Sequence, residues 1–507
     1  MNRIKYIVAA SAIFALFVFA ANKNYYRIMS GIDYVRNLFY AKTTPTETGI
    51  SQELMNTLPL MKQTYKNLPA GFVHCSPFFI YTATENKTLD EVLPQAIVYT
   101  REYKISSLKK ATIKYNKLSG ANPIIAKGTS IVIPHSLPIW TPSPLNRKLP
   151  DIITARGLYM TGTSAGNPGL IRKLPEFKRR GLNTIVFDIK DVDGALSYRS
   201  RVPLAVKYNL HGRATIDNPC MFIRNLKENG IYVVARISVF RDLLLIKHSP
   251  ELAVKSRQNG KIWQGGGERW CDPTNLAVQD YALALAMEAV ENGVDEIQFD
   301  YIRFPTGGNL GDAVFSYQCG AMSKEAVIAD FLKRAHKQIS AANVRLSIDV
   351  FGVVAWGKPA DIKSTGQRIE MLADYCDYIS PMLYPSHFNN NFDGFKNPAD
   401  NPEYFISAGN KKIAGIMAGK KVVIRPWLQA FKWKVSAYGP SYIIKQINAS
   451  DASGGNGYLF WNASNEYGAV MSAMQSLFDG NSRPKSNEGI QPVKTVQTET
   501  QPYPAKS

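Results

Sequence analysis

The feature that most constrains the fold is a regular alternation of short apolar strands and amphipathic helices from Ala155 to Leu477. Eight strand candidates occur there, each followed by a helical segment, and this repeat predicts an α/β fold of the (β/α)8 TIM-barrel type. The predicted strands are Arg156–Met160, Thr184–Lys190, Tyr232–Ser238, Glu296–Arg303, Arg345–Phe351, Tyr378–Tyr384, Val422–Gln429 and Gly457–Asn462. A doubly wound open sheet is the alternative, but no glycine-rich phosphate fingerprint follows the first strand.

The regions outside this repeat divide into four further segments. Arg3 and Lys5 precede an apolar run that ends at Ala21, which predicts a signal peptide or membrane anchor over residues 1–21. We therefore expect an exported protein of the periplasm or cell envelope, bound to the inner membrane if the segment is not cleaved. A spacer (22–75) and a small module (76–140) precede the barrel domain (151–480), and a polar, proline-containing tail (481–507) is predicted to be disordered.

The charge of the chain is concentrated near its start. The formal net charge is +20, and residues 1–150 contribute 18 Lys and Arg against 7 Asp and Glu. Such an excess favours polyanionic partners such as anionic lipid or an acidic wall polymer. The acid-rich centre of the chain and the lack of zinc-finger or RNP-like motifs argue against nucleic acid as a partner.

The small module ends in two recognisable stretches. An asparagine-containing turn, NKLSGANP (116–123), is followed by the strand candidate GTSIVIP (128–134). This ending resembles that of LysM modules, and the resemblance implies a small α/β unit that binds glycans containing N-acetylglucosamine. A generic small α/β module is the alternative.

Acidic side chains lie at the carboxyl ends of several predicted barrel strands. Alternate side chains of a barrel strand face the interior, and the carboxyl ends of the strands form the active site. This alternation places Asp300 and Asp349 in the interior at the same mouth. Paired carboxyl groups hydrolyse glycosidic bonds, so we predict Asp300 as nucleophile or base and Asp349 as proton donor. If Asp349 faced the helices, Asp188 or Asp191 would be the second carboxylate.

Further polar and aromatic residues at the strand ends predict sugar subsites, because rings pack on pyranose faces and polar groups bind hydroxyls. The predicted substrate-binding residues are Asp188, Lys190, Asp191, Arg236, Tyr301, Arg303, Tyr384, His387, Arg425, Trp427, Gln429, Trp461 and Asn462. Arg425, Trp427 and Gln429 share a strand face and should project into one mouth. The competing interpretation is structural: ion pairs Asp300–Arg303 and Asp188–Lys190, and ordinary packing of the tryptophans.

Several motifs carry a family resemblance over residues 155–478. They are GVDEIQFDYIRFP (293–305), RWCDP (269–273), SIDVFG (347–352), PMLYPSH (381–387), GLYMT (157–161) and FDIKDVDG (187–194). Together they resemble a bacterial family of glycoside-hydrolase-like TIM barrels, a domain family of unknown function. The resemblance implies a hydrolase of O-glycosyl bonds that acts on a bacterial glycan.

These features bear on three candidate functions. The leading one is an exported glycoside hydrolase that acts on an envelope polysaccharide, with peptidoglycan favoured by the LysM-like module. The second is a non-catalytic glycan-binding envelope protein. A metal-dependent hydrolase is disfavoured, because the six histidines form no HxH or HxxxH pair and the five cysteines no CxxC pair. No metal or cofactor is therefore expected.

Overall fold

The computed structural model describes residues 68–75, 78–136, 149–315 and 322–479. The chain forms two compact units, Met1–Thr141 and Pro142–Ser507. The predicted signal or anchor segment, most of the spacer and the tail lie outside the described residues. In the ranges that the structure covers, no helix is both long enough and apolar enough to cross a bilayer.

The first unit is a small α/β fold. Its strands are β1 (Phe72–Cys75), β2 (Phe78–Thr82), β3 (Lys87–Thr88), β4 (Ile124–Ile125) and β5 (Ser130–Ile133), and its helices are α1 (Leu89–Ala96) and α2 (Ile105–Asn116). Strands β1, β2 and β5 form one antiparallel sheet, and β3 pairs with β4 in another. Apolar side chains of both helices and of β2 and β5 pack into one core. This unit therefore has a hydrophobic core of its own.

The asparagine-containing turn is tied to the last strand of this unit by one side chain. The Asn116 amide nitrogen donates to the Val132 carbonyl at 2.6 Å, and the Val132 amide donates to Asn116 Oδ1 at 2.8 Å. The same turn reaches the start of α1, where Asn122 Oδ1 accepts from the Asp90 amide at 3.2 Å. Both asparagines thus hold the backbone of the module in place.

The second unit is a closed parallel barrel with two short accessory strands. Its strands are β6 (Ala155–Met160), β7 (Thr184–Lys190), β8 (Tyr232–Ser238), β9 (Lys255–Ser256), β10 (Glu296–Asp300), β11 (Ala313–Val314), β12 (Arg345–Phe351), β13 (Tyr378–Met382), β14 (Val423–Ile424), β15 (Trp427–Gln429) and β16 (Gly457–Trp461). The barrel order is β6, β7, β8, β10, β12, β13, β14 with β15, and β16, which pairs back to β6. β14 and β15 are the two halves of the seventh barrel strand. The prediction of an eight-stranded barrel is confirmed.

Helices surround the barrel strands. They are α3 (Gly162–Ala165), α4 (Gly169–Arg179), α5 (Pro203–Lys207), α6 (Pro219–Glu228), α7 (Leu243–His248), α8 (Leu276–Asn292), α9 (Lys324–Ala341), α10 (Pro359–Thr365), α11 (Ile369–Leu372), α12 (Pro402–Ile416), α13 (Pro440–Asp451) and α14 (Gly468–Asp479). Side-chain oxygens cap several of them at the amino end, including Asn275 at α8 and Ser323 at α9. α8 and α9, the two longest, bury apolar side chains all along their length, as helices packed against a sheet do.

The barrel interior is filled with side chains and contains an ion pair at its floor, the end opposite the active-site mouth. Arg425 binds both carboxylate oxygens of Glu296, the first residue of β10, and its guanidinium lies 4.2 Å from the ring centroid of Tyr378. Both charged side chains are fully buried. Arg425 does face the interior, as predicted, but at the amino ends of the strands rather than at the mouth.

Candidate active site

Three aspartates converge on one buried arginine at the carboxyl ends of the strands. Arg236, near the end of β8, forms ion pairs with Asp188 of β7 and with Asp300 of β10, the latter at 2.5 Å from Nη2. Its Nε lies 3.7 Å from Oδ2 of Asp349 on β12. Although burial opposes its charge, Asp188 and Asp300 keep the pKa of Arg236 well above its usual value. The strand register brings together four of the predicted site residues around one guanidinium.

Asp300 has two donors suited to a carboxylate. Besides Arg236, the backbone amide of Tyr301 donates to Asp300 Oδ1 at 2.6 Å. That bond follows from the backbone of Tyr301, whose φ of 53° is rare for a residue other than glycine. Asp300 is the last residue of β10, so it lies at the mouth end of its strand, although it is only 6% exposed. A strained backbone next to such a group is typical of functional sites.

Asp349 lies deeper, and one of its oxygens has no hydrogen-bond partner among the described residues. Its Oδ1 accepts from Trp427 Nε1 at 2.7 Å, whereas its Oδ2 is buried and accepts no hydrogen bond from another described residue. Burial and the neighbouring Asp300 raise the pKa of Asp349 well above its usual range, against the opposing effect of Arg236. Asp349 therefore keeps its proton to a higher pH than a solvent-exposed aspartate does.

Asp188 is held by a hydroxyl as well as by Arg236. The Tyr159 hydroxyl, from β6, donates to Asp188, and the guanidinium of Arg236 lies 5.4 Å from the Tyr159 ring centroid. Burial raises the pKa of Asp188, while Arg236 and Tyr159 oppose that shift. Both oxygens of Asp188 are engaged, so this residue positions Arg236 and Tyr159 within the cluster.

Aromatic rings line the mouth next to the aspartates. The Trp461 ring stacks on Tyr159, with ring centroids 6.3 Å apart, and lies 5.6 Å from Tyr384 and 5.4 Å from Phe431. Trp461 thus faces the barrel side, which decides the orientation that the sequence left open. Burial, Asp349 and Asp300 raise the pKa of Tyr384 well above its usual value, so its hydroxyl stays a donor.

The rim continues along the loops after β13 and β15. His387 is exposed, and its ring lies 5.9 Å from Phe431 and 5.2 Å from Trp433. Trp433 is 53% exposed, an unusual position for so large an apolar side chain. The mouth therefore has an aromatic wall, which we define as Tyr159, Tyr384, His387, Phe431, Trp433 and Trp461.

Three predicted binding residues brace this wall. Gln429 accepts from the Ser386 amide at 3.1 Å and donates to the Phe431 carbonyl at 2.9 Å, so it joins the loops after β13 and β15. The amide nitrogen of Asn462 donates to the Ala430 carbonyl at 2.7 Å. Trp427 is 1% exposed and bonded to Asp349. These side chains act on the site through their neighbours.

Lys190, a predicted site residue, lies away from the aspartate cluster. A bulge in β7 shifts the register between Asp188 and Lys190, which turns Lys190 away from the interior. Lys190 Nζ binds the buried Asp242 at 2.7 Å and lies 5.8 Å from the ring of Tyr281 on α8. Lys190 is therefore absent from the mouth where it was predicted, and the Asp188–Lys190 ion pair of the competing interpretation is not formed, because Asp188 pairs with Arg236.

Asp191 and Arg303 make contacts other than those expected from the sequence. Asp191 accepts from the amides of Asp193 and Ala195, both at 2.9 Å, so it stabilises the turn after β7. Asp300 pairs with Arg236 rather than with Arg303, the partner considered from the sequence. Arg303 instead lies over aromatic rings, 4.5 Å from the Trp270 centroid and 4.1 Å from that of Phe351.

Sequence reasoning missed several residues of the mouth. They are Tyr159, Arg241, Trp270, Phe431 and Trp433. The alternation used for the other strands could have found Tyr159 near the end of the first strand, whereas the loop residues carry no periodic signal. Among the residues that the structure describes, no group of three or more His, Cys, Asp or Glu side chains is arranged to hold a metal ion.

Solved structures resemble parts of the chain. A hypothetical protein from Ruminiclostridium thermocellum is 36% identical over 38% of this chain and 97% of its own, with a TM-score of 0.34. The glycoside hydrolase domain of PgaB from Bordetella bronchiseptica is 14% identical over 63% of this chain and 98% of its own, with a TM-score of 0.47. The spore cortex-lytic enzyme SleL from Bacillus megaterium is 13% identical over 80% of this chain and 86% of its own, with a TM-score of 0.40.

The sequence match to a domain family is extensive. No curated protein is significantly similar to the chain. Residues 157–467, which span the barrel from β6 to the start of α14, match the family described as "Putative glycosyl hydrolase domain". The matched region contains the aspartate cluster and the aromatic wall. The chain therefore belongs to this glycosyl hydrolase domain family.

Proposed function

We propose that the barrel hydrolyses a glycosidic bond, with Asp300 as nucleophile or base and Asp349 as proton donor. The observation that carries the proposal is the buried Oδ2 of Asp349, which accepts no hydrogen bond from another described residue. A protonated carboxyl group whose oxygen is not held by a hydrogen bond can donate its proton to a leaving-group oxygen. Asp300, which holds its own donors, supplies the charged partner that this chemistry requires.

The aromatic wall supports a carbohydrate as the substrate. Rings pack on the apolar faces of pyranoses, and the Tyr384 hydroxyl is available as a donor beside Asp300 and Asp349. The ring of Trp433, which is 53% exposed and lies 5.2 Å from that of His387, extends this surface. A surface of this length suits a chain of several sugar units better than a monosaccharide.

We further propose that the substrate is an envelope polysaccharide, with peptidoglycan as the first candidate. The LysM-like ending of the first unit and the excess of basic residues before residue 150 support a wall glycan. Export through the segment 1–21 belongs to the same proposal, because such a substrate lies outside the cytoplasm.

A non-catalytic glycan-binding protein is the second candidate. It is favoured by the burial of both proposed catalytic groups, since Asp300 is 6% and Asp349 1% exposed. In that case the ion pairs of Arg236 would only stabilise the barrel, and the aromatic wall would hold the glycan without cleavage.

Substitution of Asp300 separates the two candidates. We expect Asp300→Asn to lower turnover of chitooligosaccharides or isolated sacculi about a hundredfold or more, because the charged partner is lost. Asp280→Asn, on the exposed face of α8, is the matched control. The products are measured by mass spectrometry, and the melting temperature reports the fold. No turnover by the wild type, or near wild-type turnover by Asp300→Asn, would contradict the assignment.

The role of the first unit is tested by removing it. Residues 71–140 contain the separate core, so their deletion should leave the barrel folded. We expect the shortened protein to cosediment less with sacculi but to cleave short soluble fragments as before. Full retention on sacculi would refute the proposed division between binding and cleavage.

A further inference from the structure

A buried cation lies at the barrel mouth without a charged partner. Arg303 is 7% exposed and follows Asp300 by three residues. Its guanidinium makes one hydrogen bond within the described residues, from Nη1 to the Phe304 carbonyl at 3.1 Å. No described carboxylate lies within ion-pairing distance, although the mouth contains Asp300 and Glu268 nearby.

This arrangement is costly for a structural role alone. A buried charge is unfavourable unless it is paired, and burial lowers the pKa of Arg303 to about 10. Trp270 and Phe351 offset part of the cost through their π faces, at 4.5 and 4.1 Å from the guanidinium carbon. Ring faces leave the edge of the guanidinium, where its N–H groups point, free for a further partner.

A second arginine strengthens the local positive charge. Arg241 lies 5.4 Å from the Tyr301 ring centroid, and Arg303 lies 5.5 Å from the same centroid. The side chain of Arg241 is 22% exposed, its buried Nε donates to no described acceptor, and its Nη1 lies 3.3 Å from Glu268. Glu268 therefore pairs with Arg241 and not with Arg303, so the two cations outnumber the one carboxylate near them outside the aspartate cluster.

Tyr301 contacts both the two arginines and the proposed catalytic Asp300. Tyr301 lies between Asp300 and Arg303 in the sequence, and its backbone φ angle is 53°. The Tyr301 amide binds Asp300, while its ring contacts both arginines. The cationic site and the proposed catalytic carboxylate are thus linked through one residue.

We propose that Arg303, assisted by Arg241, binds a carboxylate carried by the sugar substrate next to the bond that is cleaved. This inference rests on the proposed function and narrows its substrate class to acidic glycans. A carboxylate is flat and matches the edge of a guanidinium with two parallel hydrogen bonds. It would also supply the missing counter-charge of Arg303. The acid can be a lactyl ether, as in N-acetylmuramic acid, or a uronic acid.

Matched glycans test the inference on the full chain with Asp300→Asn, which prevents turnover. One pair is chitotetraose and a peptide-free tetrasaccharide of alternating N-acetylglucosamine and N-acetylmuramic acid, which differ by the lactyl groups. The methyl ester of the second glycan removes its charge, and tetragalacturonate with its methyl ester tests the other source. We expect calorimetry to give roughly tenfold to hundredfold tighter binding of the preferred acid than of its ester.

Variants then test whether the preference for the acid over its ester depends on Arg303. In Arg303→Met the ratio of ester to acid dissociation constants should fall to near one, and Arg303→Lys should restore part of it. Arg180→Met, which removes a partly exposed ion pair with Glu176, is the control that keeps the ratio. If Arg303→Met does not fold, the acid and ester comparison on the parent protein still decides.

The outcomes are distinct for the two proposals. Preference for the lactyl acid or for the uronate supports the inference and identifies the source of the carboxylate. Equal binding of acids and esters, or a ratio unaffected by Arg303→Met, overturns it even if the wild type cleaves glycans. Acid-selective binding without turnover by the wild type would retain the carboxylate site and refute the hydrolase.

Discussion

Replacement of Arg236 by methionine is the sharpest test of how the aspartate cluster is held together. The side chain is 6% exposed, and it is the cation shared by Asp188, Asp300 and Asp349. Methionine fills much of the same space without charge. The variant therefore leaves three buried acidic groups without their common cation.

The expected loss of stability is large because the aspartates cannot move into water. Breaking a buried ion pair from one side typically costs about 3–5 kcal/mol. At about 2 °C per kcal/mol for a domain of this size, the melting temperature should fall by roughly 6–10 °C at pH 7.5. Arg334→Met, whose partner Asp280 is exposed, is the control and should cost less than about 1 kcal/mol.

The loss should also depend on pH with a defined sign. Arg236 lowers the pKa of Asp188 and of Asp349, so its removal raises both folded-state values further above the unfolded ones. The penalty is absent below the unfolded pKa, about 3.9, where both states are protonated, and it grows as the pH rises through the folded values. The deficit of Arg236→Met should therefore be smaller at pH 5 than at pH 7.5.

Thermal unfolding followed by circular dichroism measures both effects. The reasoning would be refuted by a fall of less than about 2 °C at pH 7.5, or by a deficit that is the same at both pH values. Either result would mean that water or a rearranged side chain replaces the arginine.

Three further results are expected. Trp427→Ala should destabilise the barrel by about 3–5 kcal/mol in thermal unfolding, because the ring is buried, whereas Trp461→Ala should weaken glycan binding in calorimetry with little change in melting temperature. In a pH–rate profile, turnover should fall as the pH rises through the elevated pKa of Asp349, and Asp349→Asn should lose that limb along with most activity. Asn116→Ala should increase hydrogen exchange of the Val132 amide, which would keep its protection if the turn were held otherwise.

The periodic features of the barrel could be predicted from the sequence. Each strand is short and apolar, and each lies next to an amphipathic helix, so the count of eight depends on local patterns alone. The same alternation placed Asp300 and Asp349 in the interior, and the structure has both there beside Arg236. Alternation along a strand is a local property that the neighbouring chain does not alter.

The predicted positions of Lys190 and Arg425 were wrong because they depend on more than the alternation of side chains along one strand. The bulge in β7 turns Lys190 toward the helix layer, and no residue type in this strand indicates a bulge. Arg425 obeys the alternation, but its height along the barrel depends on strand register, which places it at the floor with Glu296. Both differences arise from pairing with neighbouring strands.

The sequence by itself determined the fold class, the strand order and which carboxyl groups face the interior, because these depend on periodicity within each strand. Only the tertiary structure decided which charges meet. Arg236 binds aspartates from three strands that lie far apart in the chain, and Trp461 reaches Tyr159 because the last barrel strand pairs with the first. Barrel closure and strand register fix these contacts, and neither is encoded in the pattern of a single segment.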